Sequence, residues 1–189
     1  MAKRTDVVTM RQARAMIAML RGEGRTRDAA LVACAAGFGL RADDVCALKW
    51  TDLLDTTEAL RTDLTLREEK TGQTRVLRLL PFVAELLAEW RRKAPASEWI
   101  FPGQDGGPLD RRTMWVIVSK AADRMGLKGT IAPHSLRKAF CDYVYSMTRD
   151  PVLTARITGH TNPAQLLRYI GRLADVEAGV WDRMAAALK

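Results

Sequence analysis

The chain has 189 residues, of which 48% are apolar and 28% are charged, with 30 Lys or Arg against 22 Asp or Glu. These proportions are ordinary for a globular protein and exclude a fibrous, collagen-like or largely disordered chain. No segment approaches the roughly 18–20 consecutive apolar residues that a membrane span needs, and the N-terminus lacks the apolar run of a signal peptide. The net charge of +8 favours a polyanionic partner, usually a nucleic acid, although a merely soluble basic protein remains open on charge alone.

The cysteines indicate the redox environment. Cys34, Cys46 and Cys141 are odd in number and include no C-x-x-C pair. This argues against a disulfide framework or a zinc site and favours a reducing, cytoplasmic compartment. We expect each cysteine to pack as a small core residue.

Apolar residues recur mostly at helical spacing in the first fifty positions. The pattern predicts a helix capped by Thr9 and ending at Gly22 to Gly24, a buried helix over 29–36, and a short helix opened by Asp43 or Asp44 and ending near Trp50. The period then changes. Apolar and polar residues alternate over 60–67, which is typical of a half-buried strand, and a turn at 71–73 leads to a returning strand over 74–80.

Helical spacing resumes after Pro81. A helix is predicted from Phe82 to Trp90, followed by a loop over 95–108 and by helices at about 110–125, 134–148, 151–158, 163–170 and 174–187. The predicted fold class is therefore mostly α with a small antiparallel β-sheet (α+β). Residues 113–172 hold nine Lys or Arg against three Asp, so a nucleic-acid surface is expected there rather than in the acidic stretch 31–60.

The two histidines are the most informative single residues. His134 and Arg137 stand three apart at the start of a helix, which places both on one face. A helix N-terminus bearing His and Arg suits a phosphate, because free N–H groups add to the side-chain charge. His-x-x-Arg alone is more often a capped surface helix. His160 lies in a Gly-His turn before a short helix that contains Tyr169, and alone it would be an ordinary loop histidine.

The remaining element is Arg41, which follows a buried helix and a Gly turn and precedes Asp44 and Leu48-x-Trp50. Together with Lys70 in a strand turn, His134-x-x-Arg137, Gly159-His160 and Tyr169 nine residues after His160, it resembles the catalytic domain of the tyrosine recombinases, or phage integrases. The resemblance covers about residues 10–185. Each motif alone is weak, but the ordered set is specific.

The resemblance implies an enzyme that cleaves and rejoins DNA through a covalent 3′-phosphotyrosine, with no metal and no nucleotide cofactor. Tyr169 would be the nucleophile, and Arg41 and Arg137 would hold the scissile phosphate. Lys70 would protonate the leaving 5′-oxygen, His134 would assist proton transfer at the nucleophile, and His160 would donate a hydrogen bond to the phosphate.

Asp44 stands where the family usually has Glu, and it would orient Arg41. Some residues are rivals for these roles: Arg67 and Arg75 could be mistaken for Lys70, and Tyr143 and Tyr145 are alternative nucleophiles. Because both tyrosines lie inside the predicted 134–148 helix without a Gly-His turn before them, we interpret them as core or helix-surface residues.

The resemblance also predicts the organisation of the chain. Residues 1–189 are expected to form a single catalytic domain without the N-terminal core-binding domain that members usually carry. The protein would then be a small natural member, a truncated form of a longer member, or one half of a system whose clamp lies elsewhere. Its partners would be double-stranded DNA, further copies of itself in a tetrameric synapse, and an accessory protein or separate core-binding subunit.

The C-terminal segment 174–187 offers a surface for self-association. Val176, Val180, Trp181, Met184 and Leu188 form an apolar stripe at helical spacing. In the family, the segment after the tyrosine often docks on a neighbouring protomer. Packing of the stripe on its own domain is the equal alternative.

Other function classes remain open on the sequence. A type IB topoisomerase would use similar chemistry without partner protomers. A recombinase-derived DNA-binding or regulatory module would bind without forming a covalent adduct. A basic helical protein with an accidental motif match would show no salt-sensitive DNA binding.

Overall fold

The protein, described here by a computed structural model over residues 7–67, 72 and 74–188, is mostly helical. The helices are, in chain order, α1 (Met10–Gly22), α2 (Thr26–Phe38), α3 (Ala42–Cys46), α4 (Trp50–Leu53), α5 (Pro81–Arg91), α6 (Arg111–Arg124), α7 (Pro133–Thr148), α8 (Pro151–Thr158), α9 (Pro163–Ile170) and α10 (Leu173–Ala187). Strands β1 (Asp63–Arg67) and β2 (Thr74–Arg78) pair antiparallel, with Leu64 opposite Leu77. The predicted fold class is confirmed. Of the predicted turn at 71–73, only Gly72 lies within the described residues.

By its internal contacts the chain divides into two compact units, residues 1–140 and 141–189, and the boundary falls inside α7. A single domain over residues 1–189 stays a prediction. Among the described residues, no helix is both long and apolar enough to cross a membrane.

The first unit is built around α2, in which only Arg27 and Gly37 escape burial. Helices α1, α5 and α6 all contact this helix. Its many alanines bury little side-chain volume, so neighbouring backbones can approach closely. The predicted buried helix 29–36 is confirmed and extends further at both ends. Thr9 caps α1 as expected, because its hydroxyl accepts from the backbone N–H of Gln12, whose side chain accepts in return from the backbone N–H of Thr9.

The short helix predicted to end near Trp50 was wrong in its extent. Helix α3 has Arg41 as its N-cap residue and ends at Cys46, and a separate turn, α4, begins at Trp50. The interruption has a non-local cause: the Ile100 amide donates to the Leu48 carbonyl, and the Trp50 amide donates to the Glu98 carbonyl. This bridge, which pairs Lys49 with Trp99, holds Lys49 in an extended conformation between the two helices.

The cysteines are buried and free, as expected. Burial raises the pKa of Cys46 to about 12, with the charges of Asp43 and Asp110 adding to the effect. Burial also raises the pKa of Cys34. Both thiols are therefore protonated at neutral pH and act as small core side chains.

The second unit contains the end of α7 and helices α8, α9 and α10, close to their predicted bounds. Asp150 caps α8 and Asn162 caps α9, each through a side-chain oxygen that accepts from two backbone N–H groups. Helix α10 has no buried residue.

Gly39 closes α2 in the left-handed conformation, with φ of +58°, and an added Cβ would lie 2.1 Å from Cδ1 of Phe140. We expect Gly39→Ala to lower the free energy of unfolding by about 2–5 kcal/mol, because strain of about 1–2 kcal/mol is joined by overpacking of about 1–3 kcal/mol. Urea denaturation measures the loss. Gly24→Ala is the matched control, since Gly24 has φ of +74° but nothing within 4 Å of the added Cβ. Equal losses in the two variants would contradict a tight Gly39–Phe140 contact.

Candidate active site

Three of the predicted site residues meet in the first unit. Arg41 caps α3 just after the end of α2, and His134 and Arg137 lie in the first turns of α7. The Arg137 guanidinium donates to the backbone carbonyl of Gly39, two residues before Arg41. Residues almost one hundred positions apart in the sequence are thereby brought together.

The C-terminal end of α2 holds two arginines. Besides the Arg137 contact with Gly39, Nη2 of Arg75 lies 3.5 Å from the carbonyl oxygen of Phe38. Carbonyls at a helix C-terminus carry partial negative charge and favour cations. Arg75, considered from sequence as a rival to Lys70, is therefore a buried side chain on the inward face of β2. Lys70 itself, and the side chain of Arg67, lie outside the described residues.

The surroundings of His134 favour a neutral imidazole. Partial burial lowers the pKa of His134 below its usual 6.5, and the positive charges of Arg137, Lys138 and Arg41 lower it further. Between the lowered pKa and 6.5, the unfolded chain binds a proton at His134 more readily than the folded chain does. The contribution of neutral His134 to the free energy of unfolding is therefore fully present above pH 6.5 and is lost as the pH falls through that window. A neutral imidazole at pH 7 can accept a proton.

Asp44 lies in the first turn of α3 and is partly buried. Its predicted role in orienting Arg41 stays a prediction.

The second unit holds the other predicted pair, His160 and Tyr169. Their ring centroids lie 5.3 Å apart with the planes tilted by 43°. The Oγ1 atom of Thr158 lies 2.8 Å from Nδ1 of His160, within hydrogen-bond distance. Gly159, at φ of +71°, turns the chain after α8. The predicted Gly-His turn is therefore a fixed element that places the imidazole beside the phenol.

Helix α9 positions the tyrosine. Leu166, Leu167 and Ile170 are buried, whereas Tyr169 is half-buried. The rival tyrosines on α7 have other surroundings: Tyr143 lies on the helix surface and Tyr145 is buried. Their interpretation as helix-surface and core residues is confirmed.

Sequence reasoning missed one contact in this unit. Nε of Arg172 donates to Oδ1 of Asp142 at 2.8 Å, which ties the segment after Tyr169 to α7. The two residues are thirty positions apart, and no local pattern marks the pair. Within the described ranges, no group of three or more His, Cys, Asp or Glu could hold a metal ion.

Comparison with known proteins identifies the family. The model of the phage integrase family matches residues 6–174. The chain belongs to the phage integrase family. The tyrosine recombinase XerC of Xanthomonas axonopodis pv. citri is 30% identical to it over 145 residues, which cover 76% of this chain and 46% of the relative. The tyrosine recombinase XerD of Corynebacterium glutamicum is 30% identical over 164 residues, covering 82% and 51%. This member of the family thus spans about half the length of these curated relatives.

Solved structures share the fold. The XerH recombinase bound to a palindromic difH substrate in a post-cleavage complex gives a TM-score of 0.74 at 20% identity, covering 96% of this chain and 55% of that one. A lambda integrase dimer bound to a COC′ core site gives 0.68 at 18% identity, covering 91% and 49%. The resemblance inferred from the ordered motifs is confirmed.

Proposed function

We propose that this phage integrase family chain is the catalytic part of a site-specific DNA recombinase, which cleaves and rejoins strands through a covalent 3′-phosphotyrosine. The observation that carries the proposal is the clustering of the family residues. Arg41, His134 and Arg137 converge at the end of α2, and His160 stands beside Tyr169. The relatives named tyrosine recombinases, and the neighbours solved on DNA, support the same reaction and a DNA partner.

The proposed step exchanges one phosphate ester for another. The Tyr169 oxygen forms a bond to phosphorus, the bond from phosphorus to the 5′-oxygen breaks, and the strand leaves as a 5′-hydroxyl. The phenol proton passes to a base, for which neutral His134 is suited, and the leaving oxygen takes a proton from Lys70. Attack by a 5′-hydroxyl reverses the step and rejoins the strand without an external energy source.

The arginines stabilise the charge that the phosphate carries in the transition state. A guanidinium forms two parallel charge-assisted hydrogen bonds to phosphate oxygens. Arg137 is fixed by the Gly39 carbonyl before substrate arrives, so little reorganisation is needed during the reaction. His160 would donate a further hydrogen bond to the phosphate.

Covalent trapping tests this function. The protein is mixed with a library of nicked duplexes, denatured in detergent, and assayed for DNA attached to protein. Recovery of an adduct supports cleavage. Salt-sensitive binding without an adduct would instead favour a DNA-binding or regulatory module, and relaxation of supercoiled plasmid by a strict monomer would favour a topoisomerase.

In the proposed function, the apolar stripe of helix α10 is the surface through which copies of the chain associate on DNA. Trp181 is 68% exposed and Leu188 is 84% exposed, so these two side chains of the apolar stripe lie open to solvent. We expect the double variant Trp181→Glu, Met184→Glu to abolish assembly on DNA in sedimentation while the unfolding midpoint stays unchanged, because α10 buries nothing. Glu177→Ala, a change at an exposed acid of the same helix, is the control. Unchanged assembly of the double variant would reject the stripe as the contact.

Four finer assignments stay predictions: the cytoplasmic location, the tetrameric synapse, the accessory protein and the separate core-binding subunit.

A further inference from the structure

Thr158 carries a buried hydroxyl next to His160 that the proposed mechanism does not use. It is the last residue of α8 and is 0% exposed. Its Oγ1 atom lies 2.8 Å from the carbonyl oxygen of Thr154 and 2.8 Å from Nδ1 of His160. The carbonyl oxygen of Ala155 is further away, at 3.5 Å. The direction of the hydrogen bond between Thr158 and His160 depends on where the single hydroxyl hydrogen lies.

The types of these neighbours decide the position of that hydrogen. A carbonyl oxygen can only accept, so the contact between Thr158 Oγ1 and the Thr154 carbonyl requires the hydroxyl hydrogen to lie between the two oxygens. With the hydroxyl turned the other way, the lone pairs of two buried oxygens would face each other at 2.8 Å, which is unfavourable. Oγ1 of Thr158 therefore accepts from His160, and Nδ1 of His160 carries a hydrogen.

The backbone of His160 is fixed to the same helix end. Gly159 lies in the left-handed region at φ of +71°, and the backbone N–H of His160 donates to the carbonyl of Ala155 at 2.9 Å. A helix often ends in this way, because the residue after a left-handed glycine can return its N–H to the last turn. One helix end thus holds both the main chain of His160 and the Nδ1 side of its ring.

We infer that Thr158 is a positioning residue, which keeps a hydrogen on Nδ1 of His160 and so makes Nε2 the nitrogen that acts on the substrate. The role towards substrate rests on the proposed function. In a neutral imidazole one nitrogen donates and the other accepts, and the partner of one nitrogen decides the state of both. Neutral His160 therefore has its lone pair at Nε2.

This assignment has a consequence for the contact between His160 and the phosphate. A hydrogen bond that His160 donates to a phosphate oxygen has to come from Nε2, because Nδ1 donates to Thr158. An imidazole that donates from both nitrogens is the imidazolium and carries a positive charge. His160 thus contacts the phosphate as a cation, and a hydrogen bond between two ionised groups is of the stronger, charge-assisted kind.

The competing interpretation is structural. A threonine hydroxyl near the end of a helix often bonds to a carbonyl of its own preceding turn, and Thr158 would then only fill space at the end of α8. The two interpretations differ in what removal of the hydroxyl does to the tautomer of His160, meaning the nitrogen that carries the hydrogen of the neutral ring.

The first measurement is the tautomer of His160 in the unmodified protein. Long-range proton–nitrogen correlation spectra, recorded at a pH where the imidazole is neutral, show which ring nitrogen carries the hydrogen. The chain has two histidines, so the spectrum of His160→Gln identifies the signals of His134. We expect the hydrogen of His160 on Nδ1. A hydrogen on Nε2 would overturn the inference, and this result does not depend on the folding of any Thr158 variant.

The second measurement compares variants of Thr158. In Thr158→Val a methyl group replaces the hydroxyl, and neutral His160 should shift its hydrogen to Nε2, the form that free histidine favours in water. We expect single-turnover cleavage of nicked duplex to slow by about tenfold, the loss expected when roughly one hydrogen bond to a charged group is weakened. DNA affinity, to which many phosphate contacts contribute, should change little. Thr158→Ser keeps the hydroxyl and should restore both the tautomer and the rate.

Thr154→Val is the matched control. It removes a buried hydroxyl one turn earlier on the same helix, where Thr154 Oγ1 donates to the Asp150 carbonyl at 2.6 Å and lies 2.7 Å from Thr148 Oγ1. Under conditions in which urea denaturation shows the variant to be folded, it should keep the tautomer of His160 and the unmodified cleavage rate. Equal losses of cleavage in Thr154→Val and Thr158→Val, with the tautomer unchanged in both, would overturn the inference.

The outcomes separate this inference from the proposed function. Covalent trapping by the unmodified protein is run in parallel. An adduct, together with an unchanged tautomer and rate in Thr158→Val, overturns the role of the threonine alone. Absence of an adduct, with the hydrogen moving from Nδ1 to Nε2 in Thr158→Val, removes the cleavage proposal and leaves Thr158 as the residue that positions His160.

Discussion

Tyr169→Phe is expected to abolish the covalent protein–DNA adduct while leaving the fold and the DNA affinity nearly unchanged. The substitution removes one oxygen and keeps the aromatic ring that lies 5.3 Å from His160. Without that oxygen no phosphotyrosine can form, so the loss should reach the detection limit of the trapping assay. Anisotropy and urea denaturation show whether binding and stability persist.

The other tyrosines supply matched controls. Tyr143→Phe makes the same chemical change on the exposed surface of α7, and Tyr145→Phe makes it in the core. Both variants should give as much adduct as the unmodified protein. An adduct that survives in Tyr169→Phe and disappears in one of these controls would identify a different nucleophile. Equal adduct in all three variants would remove tyrosine chemistry from the reaction.

The proposed reaction also requires a base that takes the phenol proton. A tyrosine ordinarily has a pKa of about 10 and is protonated at neutral pH. In the proposed reaction the base is His134, whose pKa is lowered by burial and by nearby cations, so that its imidazole is neutral at that pH. Protonation of His134 should therefore reduce adduct formation as pH falls through its lowered pKa.

Periodicity predicted the helices well where each one carries its own caps. Asp150 is the N-cap residue of α8 and Asn162 is the N-cap residue of α9, and each marks the boundary with the helix before it. Both residues are recognisable as helix caps in the sequence. The prediction failed around residues 47–53, because the backbone there is held by residues 98–100. A contact across fifty residues leaves no trace in local spacing.

The candidate site also divides into features that local sequence patterns predict and features that depend on distant contacts. Ordered local motifs predict Arg41, His134, Arg137, His160 and Tyr169 as site residues, since each belongs to a short-range pattern. The burial of Arg75 and Lys138, and the pairing of Arg172 with Asp142, depend on how distant elements pack. From the sequence, two adjacent cationic residues on a helix are expected to be exposed to solvent. Only the structure shows that Arg137 and Lys138 are both buried.

Arg137→Ala is expected to slow strand cleavage by about 10²–10³-fold, the usual loss when one fixed hydrogen-bond donor to a transition-state charge is removed. Arg137 is 3% exposed and fixed by the Gly39 carbonyl, so it is preorganised for this role. The rate is measured in a single turnover on nicked duplex with protein in excess. The cleavage rate of Arg137→Lys should lie between those of Arg137→Ala and the unmodified protein, because lysine keeps the positive charge and lacks the planar guanidinium.

Loss of fold must be separated from loss of chemistry in this variant. Removing the guanidinium leaves the Gly39 carbonyl without that donor, which costs roughly 1–3 kcal/mol. Urea denaturation establishes the conditions in which Arg137→Ala is folded, and the rate is compared there. Arg124→Ala removes the same charge from an exposed arginine paired with Glu23, and it should cleave at the unmodified rate.

Rescue by added guanidinium ion distinguishes a role of Arg137 in cleavage from a purely structural role. If Arg137 were only structural, the ion would not raise the cleavage rate of folded Arg137→Ala. In Arg137→Ala the ion can occupy the vacated space between the Gly39 carbonyl and the phosphate and restore part of the cleavage. It should not accelerate Arg124→Ala or the unmodified protein. Cleavage by Arg137→Ala within about threefold of the unmodified rate, far short of a 10²-fold loss, would show that Arg137 only joins α7 to the end of α2.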